Sequence, residues 1–175
     1  MIITKTPYRI SFFGGGSDYP AWYNQNQGKV ISTTIDKSVY ITCRFLPKFF
    51  KKHNYRISYS KTEEVKSINQ INHKVFREIL KYIKFKQGLE IHYDGELPAR
   101  SGMGSSSAVV VGLIKALYAL KKKNINKKQL AEKSIYFEQK VLEEIVGVQD
   151  QIAGSYGGFN VININKKSFI VKPLK

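Results

Sequence analysis

The sequence predicts an α+β fold, because its strand-like segments come first, its helical segments follow, and a strand pair closes the chain. Residues 2–13 alternate enough to read as a strand. Segments 30–35 and 38–45 are β-rich and are separated by Asp36-Lys37, a hairpin signal. Another short strand falls at 55–59. Val75, Phe76, Ile79, Leu80 and Ile83 recur at helical spacing and predict a helix over 72–85. Residues 89–93 alternate again, and 105–120 form a long apolar helix. A second helix is predicted over 126–145, with Asn126 as N-cap and Gln129 at the capping-box position. After Gly147 comes a short helical stretch, 149–155, and Gly157-Gly158 then opens strands at 159–164 and 168–171.

The 175 residues suffice for one domain with a real core. Apolar residues make up 42% and charged residues 24%, a globular rather than a disordered mix. No run approaches the ~20 apolar residues of a membrane span, and the N-terminus reads as a strand rather than a signal peptide. Cys43 is the only cysteine, so no internal disulfide forms; it reads as a buried thiol in a reduced, cytoplasmic protein. The net charge of +16 attracts polyanions, but the lysines are spread along the chain, with short clusters at 48–52, 121–123 and 127–128. The stretch 48–56 mixes bases with aromatics, as RNA-binding surfaces do, but reads more simply as a solvated hairpin rim. Charge alone speaks to solubility and association, so nucleic acid is set aside as a main partner.

The strongest local signal is the glycine-serine run 97–108, which follows a strand and leads directly into the long apolar helix. A helix N-terminus offers unsatisfied N–H groups and the positive end of the dipole. Gly102 and Gly104, with Met103 between them, let phosphate oxygens approach the backbone; Ser105, Ser106 and Ser107 add hydroxyls, one of which can ligate Mg2+, and Arg100 adds charge. Other glycine motifs fail on detail. A Walker A loop lacks its lysine here, the dinucleotide fingerprint lacks its third glycine (position 107 is serine), and Ala108 stands where a hydrolase elbow needs glycine. A plain N-cap needs one cap residue, and this run exceeds that.

Glu138 falls within the apolar stripe Ala131, Ile135, Leu142, Ile145 of the second helix, while Glu132, Glu143 and Glu144 lie off it. A buried carboxylate needs a cation: either Mg2+ brought by ATP or a buried Arg or Lys, unless its stem reaches the surface. Asp150 sits after the Gly147 break, either as a helix cap or aimed into a cleft. A strand carrying Arg9 runs into Gly14-Gly15-Gly16-Ser17-Asp18. A tight turn with Asp18 capping a short helix over 19–23 accounts for Asp18 but poorly for three glycines, whereas a small polar ligand accounts for both.

Together the segments 7–19 and 97–108 resemble the GHMP kinases, the superfamily of galactokinase, homoserine kinase and mevalonate kinase. The resemblance spans nearly the whole chain and covers two of the family's three motifs; the third belongs to a C-terminal domain and is not found. It implies that residues 1–175 form the N-terminal ATP-binding domain, a ribosomal-protein-like α+β unit with a mixed sheet and helices packed on it, without the C-terminal domain. Within the superfamily the glycine run, Thr34-Ile35-Asp36-Lys37 and Gly147-Val148-Gln149-Asp150-Gln151 are similar to D-glycero-D-manno-heptose 7-phosphate kinases. Fucokinases share a similar run, and galactokinases have Gly-Glu-His there instead.

By position, the resemblance implies that Gly102, Met103, Gly104, Ser105, Ser106 and Ser107 cradle ATP phosphates and that Ser106 and Glu138 hold Mg2+. Asp150 is then the base, with Arg9 beside it lowering its pKa, and Gly15, Gly16, Ser17 and Asp18 bind the sugar phosphate. The implied reaction is phosphorylation of the anomeric hydroxyl of the heptose 7-phosphate. Rival expectations are another sugar specificity, a basic nucleic-acid-binding domain on the same fold, or a half-enzyme without turnover. An apolar face left uncovered could also support a homodimer.

Overall fold

The computed structural model describes residues 1–47, 49, 52–98 and 101–174. Lys48, Phe50 and Lys51 of the basic and aromatic stretch, and Arg100 of the glycine-serine run, lie outside the described residues.

A seven-stranded sheet is built from β1 (Ile2–Phe13), β2 (Gly28–Phe45), β3 (Tyr55–Ser58), β4 (Thr62–Val65), β5 (Leu89–Gly95), β6 (Phe159–Ile164) and β7 (Phe169–Pro173). Among the described residues β3–β5 is the one parallel pair, so the sheet is mixed and mostly antiparallel. The helices are α1 (Pro20–Tyr23), α2 (Lys74–Tyr82), α3 (Ser105–Leu120), α4 (Lys127–Tyr136) and α5 (Gln149–Tyr156), with a 3-10 turn at Ile68–Gln70 and a π-helical segment at Phe137–Val141. This is the expected α+β class.

The Asp36-Lys37 hairpin does not form. β2 runs through both residues as one strand, because β1 pairs with both of its halves, Pro7 opposite Ser38 and Arg9 opposite Thr34. What changes there is the other edge: β5 pairs with Val39–Phe45 and β6 with Gly28–Thr33. A single strand shared this way ties the two ends of the chain together.

Helix α3 lies across β1 and β2 and is buried nearly all round, which its uniformly apolar sequence requires. Its approach to β1 is close: the Thr4 hydroxyl donates to the Gly112 carbonyl at 2.9 Å. The main core comprises α3, the β2–β5 face and Phe76, Ile79 and Leu80 of α2. A smaller cluster around Val30, Ile152 and Ile164 joins α4 and α5 to β6.

Asn126 caps α4 as expected, accepting from the Gln129 N–H at 2.9 Å. The helix does not reach 145, however. It widens into the π segment and stops at Val141, and Glu143 takes a left-handed φ of 57° that no helix continues through. Ile145 is therefore off the apolar stripe and 91% exposed, while Phe137 fills the buried face.

Candidate active site

The first turn of α3, the Gly102–Gly104 loop, the end of β1 and the first turn of α5 surround a cavity of about 280 Å³. The loop that leads into α3 needs glycine: Gly104, the N-cap, has φ +74°, and an added Cβ would sit 3.2 Å from the Asp150 carboxylate. The first helical bond is Ala108 N to the Gly104 carbonyl. The N–H groups of Ser105, Ser106 and Ser107 precede it, so a helix end with free donors faces the cavity.

Arg9 ties this loop to α5. Its backbone N–H donates to the Met103 carbonyl at 3.1 Å. Its side chain donates to the Gly102 carbonyl at 2.8 Å and to Asp150 Oδ1 at 2.6 Å. Burial pushes the Asp150 carboxyl up, and the Arg9 guanidinium pulls it back only in part, so its pKa is raised overall. Arg9 lowers it as expected, but desolvation outweighs that contribution. The result is a carboxylate held beside a cation with its pKa above the ordinary aspartate value.

Glu138 is 1% exposed and lies beneath the serine loop. Its Oε2 accepts from the Ser107 hydroxyl at 2.9 Å and from the Gln151 amide. Among the described residues no Lys or Arg pairs with it, so the buried-cation alternative for Glu138 is not what the fold supplies. Burial raises its pKa to about 7. Among the described residues its Oε1 is buried without a hydrogen-bond partner, and so are Oε1 of Gln149 and Oε1 of Gln151. Such orphaned acceptors are costly unless a cation or water arrives. The donor set is all oxygen, the set Mg2+ prefers, and its single unpaired carboxylate suits an ion that arrives with phosphates of its own. Among the described residues no group of three His, Cys, Asp or Glu side chains forms a self-sufficient metal site.

The N-terminal run divides in two. Gly14 has φ +88°, and a Cβ there would fall 1.8 Å from the Lys29 carbonyl, so this glycine is required by strand packing. The Ser17 hydroxyl is bound to Gly14 and Lys29 backbone, away from the cavity. Gly15 and Gly16 do not line the cavity either. Asp18 does, but it does not cap α1. Its carboxylate accepts from the N–H groups of Gly16 (3.1 Å) and Gln149 (3.2 Å), and its carbonyl accepts from Val148 at 3.1 Å. A Cβ on Gly147 would lie 1.9 Å from Asp18 Oδ2, so Gly147 is what lets Asp18 clamp the start of α5.

The structure therefore brings Arg9, Asp18, Gly102, Gly104, Ser105, Ser106, Ser107 and Asp150 around one space, with Met103 contributing a backbone carbonyl. Sequence reading gives Gly147 only the role of a helix break and gives none to Gln149 or Gln151, although all three lie in a segment it singles out. Tyr19 and Val146 also line the cavity and carried no signal of their own.

Residues 69–158 match the model of the GHMP kinases N terminal domain. The chain is 30% identical to D-glycero-alpha-D-manno-heptose 7-phosphate kinase of Campylobacter jejuni over 99% of its own length and 54% of that protein. Among solved structures, D-glycero-D-manno-heptose 1-phosphate kinase from Bacteroides thetaiotaomicron superposes with a TM-score of 0.87 at 25% identity, over 100% of this chain and 60% of that one. A mevalonate kinase shares the fold, with a TM-score of 0.73 at 18% identity over 100% of this chain and 56% of its own. The chain thus spans somewhat more than half the length of these relatives.

Proposed function

Because the chain belongs to the GHMP kinase N-terminal domain family, we propose that it carries the ATP-binding half of a sugar-phosphate kinase that phosphorylates the anomeric hydroxyl of D-glycero-D-manno-heptose 7-phosphate in the cytoplasm. The heptose assignment rests on two relatives named for heptose phosphates. The observation that carries the reaction class is the open N-terminus of α3 facing the Arg9–Asp150 pair across one cavity.

In this reading the N–H groups of Ser105–Ser107 and the hydroxyls of Ser105 and Ser106 bind the β- and γ-phosphates, and Arg9 stabilises charge on the transferring group. Asp18 still has acceptor capacity after its two backbone bonds and orients a sugar hydroxyl. Asp150 accepts the proton of the attacking hydroxyl as the new P–O bond forms and the bond to ADP breaks. Ser106 and Glu138 would hold Mg2+, which supplies neutralisation of phosphate charge. Ser107 and Gln151 keep the Glu138 carboxylate facing the loop. Most of the acceleration comes from positioning and electrostatics.

The test is calorimetric titration of the protein with ATP, with and without Mg2+ and at low and high salt, followed by 31P NMR of a mixture with heptose 7-phosphate. Saturable, Mg2+-dependent binding that survives salt, with a new anomeric phosphate signal, is expected. Binding that vanishes with salt and ignores Mg2+ would favour a non-specific polyanion surface instead. A phosphate appearing elsewhere on the sugar would overturn the anomeric assignment alone.

A further inference from the structure

The smaller core cluster is not closed. Between the π segment and the β6–β7 turn a recess of about 240 Å³ opens onto Tyr23, Ile135, Val148, Ile164 and Phe169. Its mouth carries Lys140, Lys166 and Lys167. Among the described residues none of these ammonium groups lies within 4 Å of a carboxylate. The acid at the mouth, Glu132, is 3.9 Å from Lys128. An apolar floor under an unneutralised cationic lip selects a small amphiphile with an apolar body and an anionic head. The volume is below the ~300 Å³ of ordinary ligand sites, which suits a single ring or a short acyl chain.

The recess and the phosphate cavity are two sides of one turn. Val148 forms part of the recess, while Val146 and Gly147, just before it, line the cavity. Gln139, also on the recess wall, donates to the Val146 carbonyl at 3.0 Å. The Val148 N–H donates to Asp18, and Gln149 and Asp150 follow directly. The π segment that shapes this wall is a kind of helix irregularity frequently found at functional sites.

We propose that this recess is a second, regulatory site for a small aromatic or aliphatic anion, and that its occupancy is coupled through the turn 146–148 to MgATP in the phosphate cavity. The coupling rests on the kinase reading; binding at the recess does not. Thermodynamic linkage requires the effect to be reciprocal.

The probe is 4-(trifluoromethyl)benzoate, followed by 19F NMR, with 4-(trifluoromethyl)benzamide as the uncharged control. The benzoate should bind saturably and the amide at least about ten-fold more weakly. Combining Lys166→Glu with Lys167→Glu, both on an exposed turn, should weaken the benzoate by about ten-fold or more without altering the melting temperature. Equal binding of acid and amide, or indifference to the lysine reversals, would overturn the site. So would a dimer on gel filtration whose dissociation by dilution is needed before the benzoate binds, since a second copy would then be the occupant. Benzoate affinity unchanged by saturating MgATP would overturn the coupling. If ATP itself fails to bind while the benzoate behaves as expected, the kinase reading falls and the recess stands.

Discussion

Two buried glutamates in this molecule have opposite surroundings. Glu90, on β5, is 3% exposed and faces Arg44 at 2.5 Å, His92 at 3.0 Å and Arg56 at 3.5 Å. Burial pushes its pKa up, but the His92 and Arg44 hydrogen bonds and charges outweigh that and leave it lowered. Glu138, 1% exposed, has a hydroxyl and an amide for partners and a carboxyl pushed up to about 7. A carboxylate buried with its cations is a strut whose electrostatics are complete. One buried without them is a socket, carrying a penalty that an incoming cation relieves. The contrast separates scaffold from site more sharply than burial or charge alone.

The comparison breaks most visibly under neutralisation of each glutamate. Glu138→Gln should remove the Mg2+-dependent part of ATP binding and lower turnover by about 10²–10³-fold, while leaving the metal-free fold intact or stabilised. Glu90→Gln should leave turnover and nucleotide binding unchanged. Its cost should appear in denaturant unfolding instead, at about 1–3 kcal/mol, because Arg44 and Arg56 are partly exposed and recover water. If the two variants lose activity and stability together, socket and strut are not different things.

Asp150→Asn sharpens the site side. It keeps shape and acceptor oxygen but removes the charge facing Arg9 and the ability to take a proton. Turnover should fall about 10²–10⁴-fold with ATP affinity nearly unchanged. Retained turnover would leave Asp150 as a positioning group only. Gly147→Ala tests the clamp behind it. The new methyl meets Asp18 Oδ2, so the start of α5 must shift. We expect a loss of about 2–4 kcal/mol and a fall in turnover that the Asp18→Asn variant does not rescue.

How much of this was legible differs between the two glutamates for a physical reason. Glu138 is legible because helical periodicity is local: an acid in an apolar stripe stands out within one segment. The same reasoning overran the helix end, since nothing in the period announces the π segment or the left-handed Glu143. Three consecutive serines marked the phosphate loop, but which of them reaches Glu138 depends on helix phase against another helix, and it is Ser107. Glu90 carries no comparable local signal. Its partners are set by strand register, Arg44 and Arg56 standing directly across from it on two different neighbouring strands. Alternation shows which face a residue is on, not which strands lie beside it. The continuity of β2 is hidden for the same reason: Asp36-Lys37 is a turn signal locally, and the pairing of both halves with β1 overrides it.

The subtlest expected effect is in the pH dependence of stability without metal, where the two glutamates should act with opposite signs. Glu138 binds its proton more tightly in the folded state, so its contribution is fully present below the unfolded value of about 4.5 and is lost as pH rises through about 7. Glu90 releases its proton more easily when folded, so its contribution is present above the ordinary glutamate value and is lost as pH falls through its lowered pKa. In EDTA, then, urea midpoints of the protein should decline from pH 4.5 toward pH 7 on the Glu138 account, and Glu138→Gln should flatten that decline. Glu90→Gln should leave the neutral limb alone and blunt the loss below it. A decline that survives Glu138→Gln would mean that another group, with Asp150 the first candidate because its pKa is also raised by burial, carries the penalty that marks the socket.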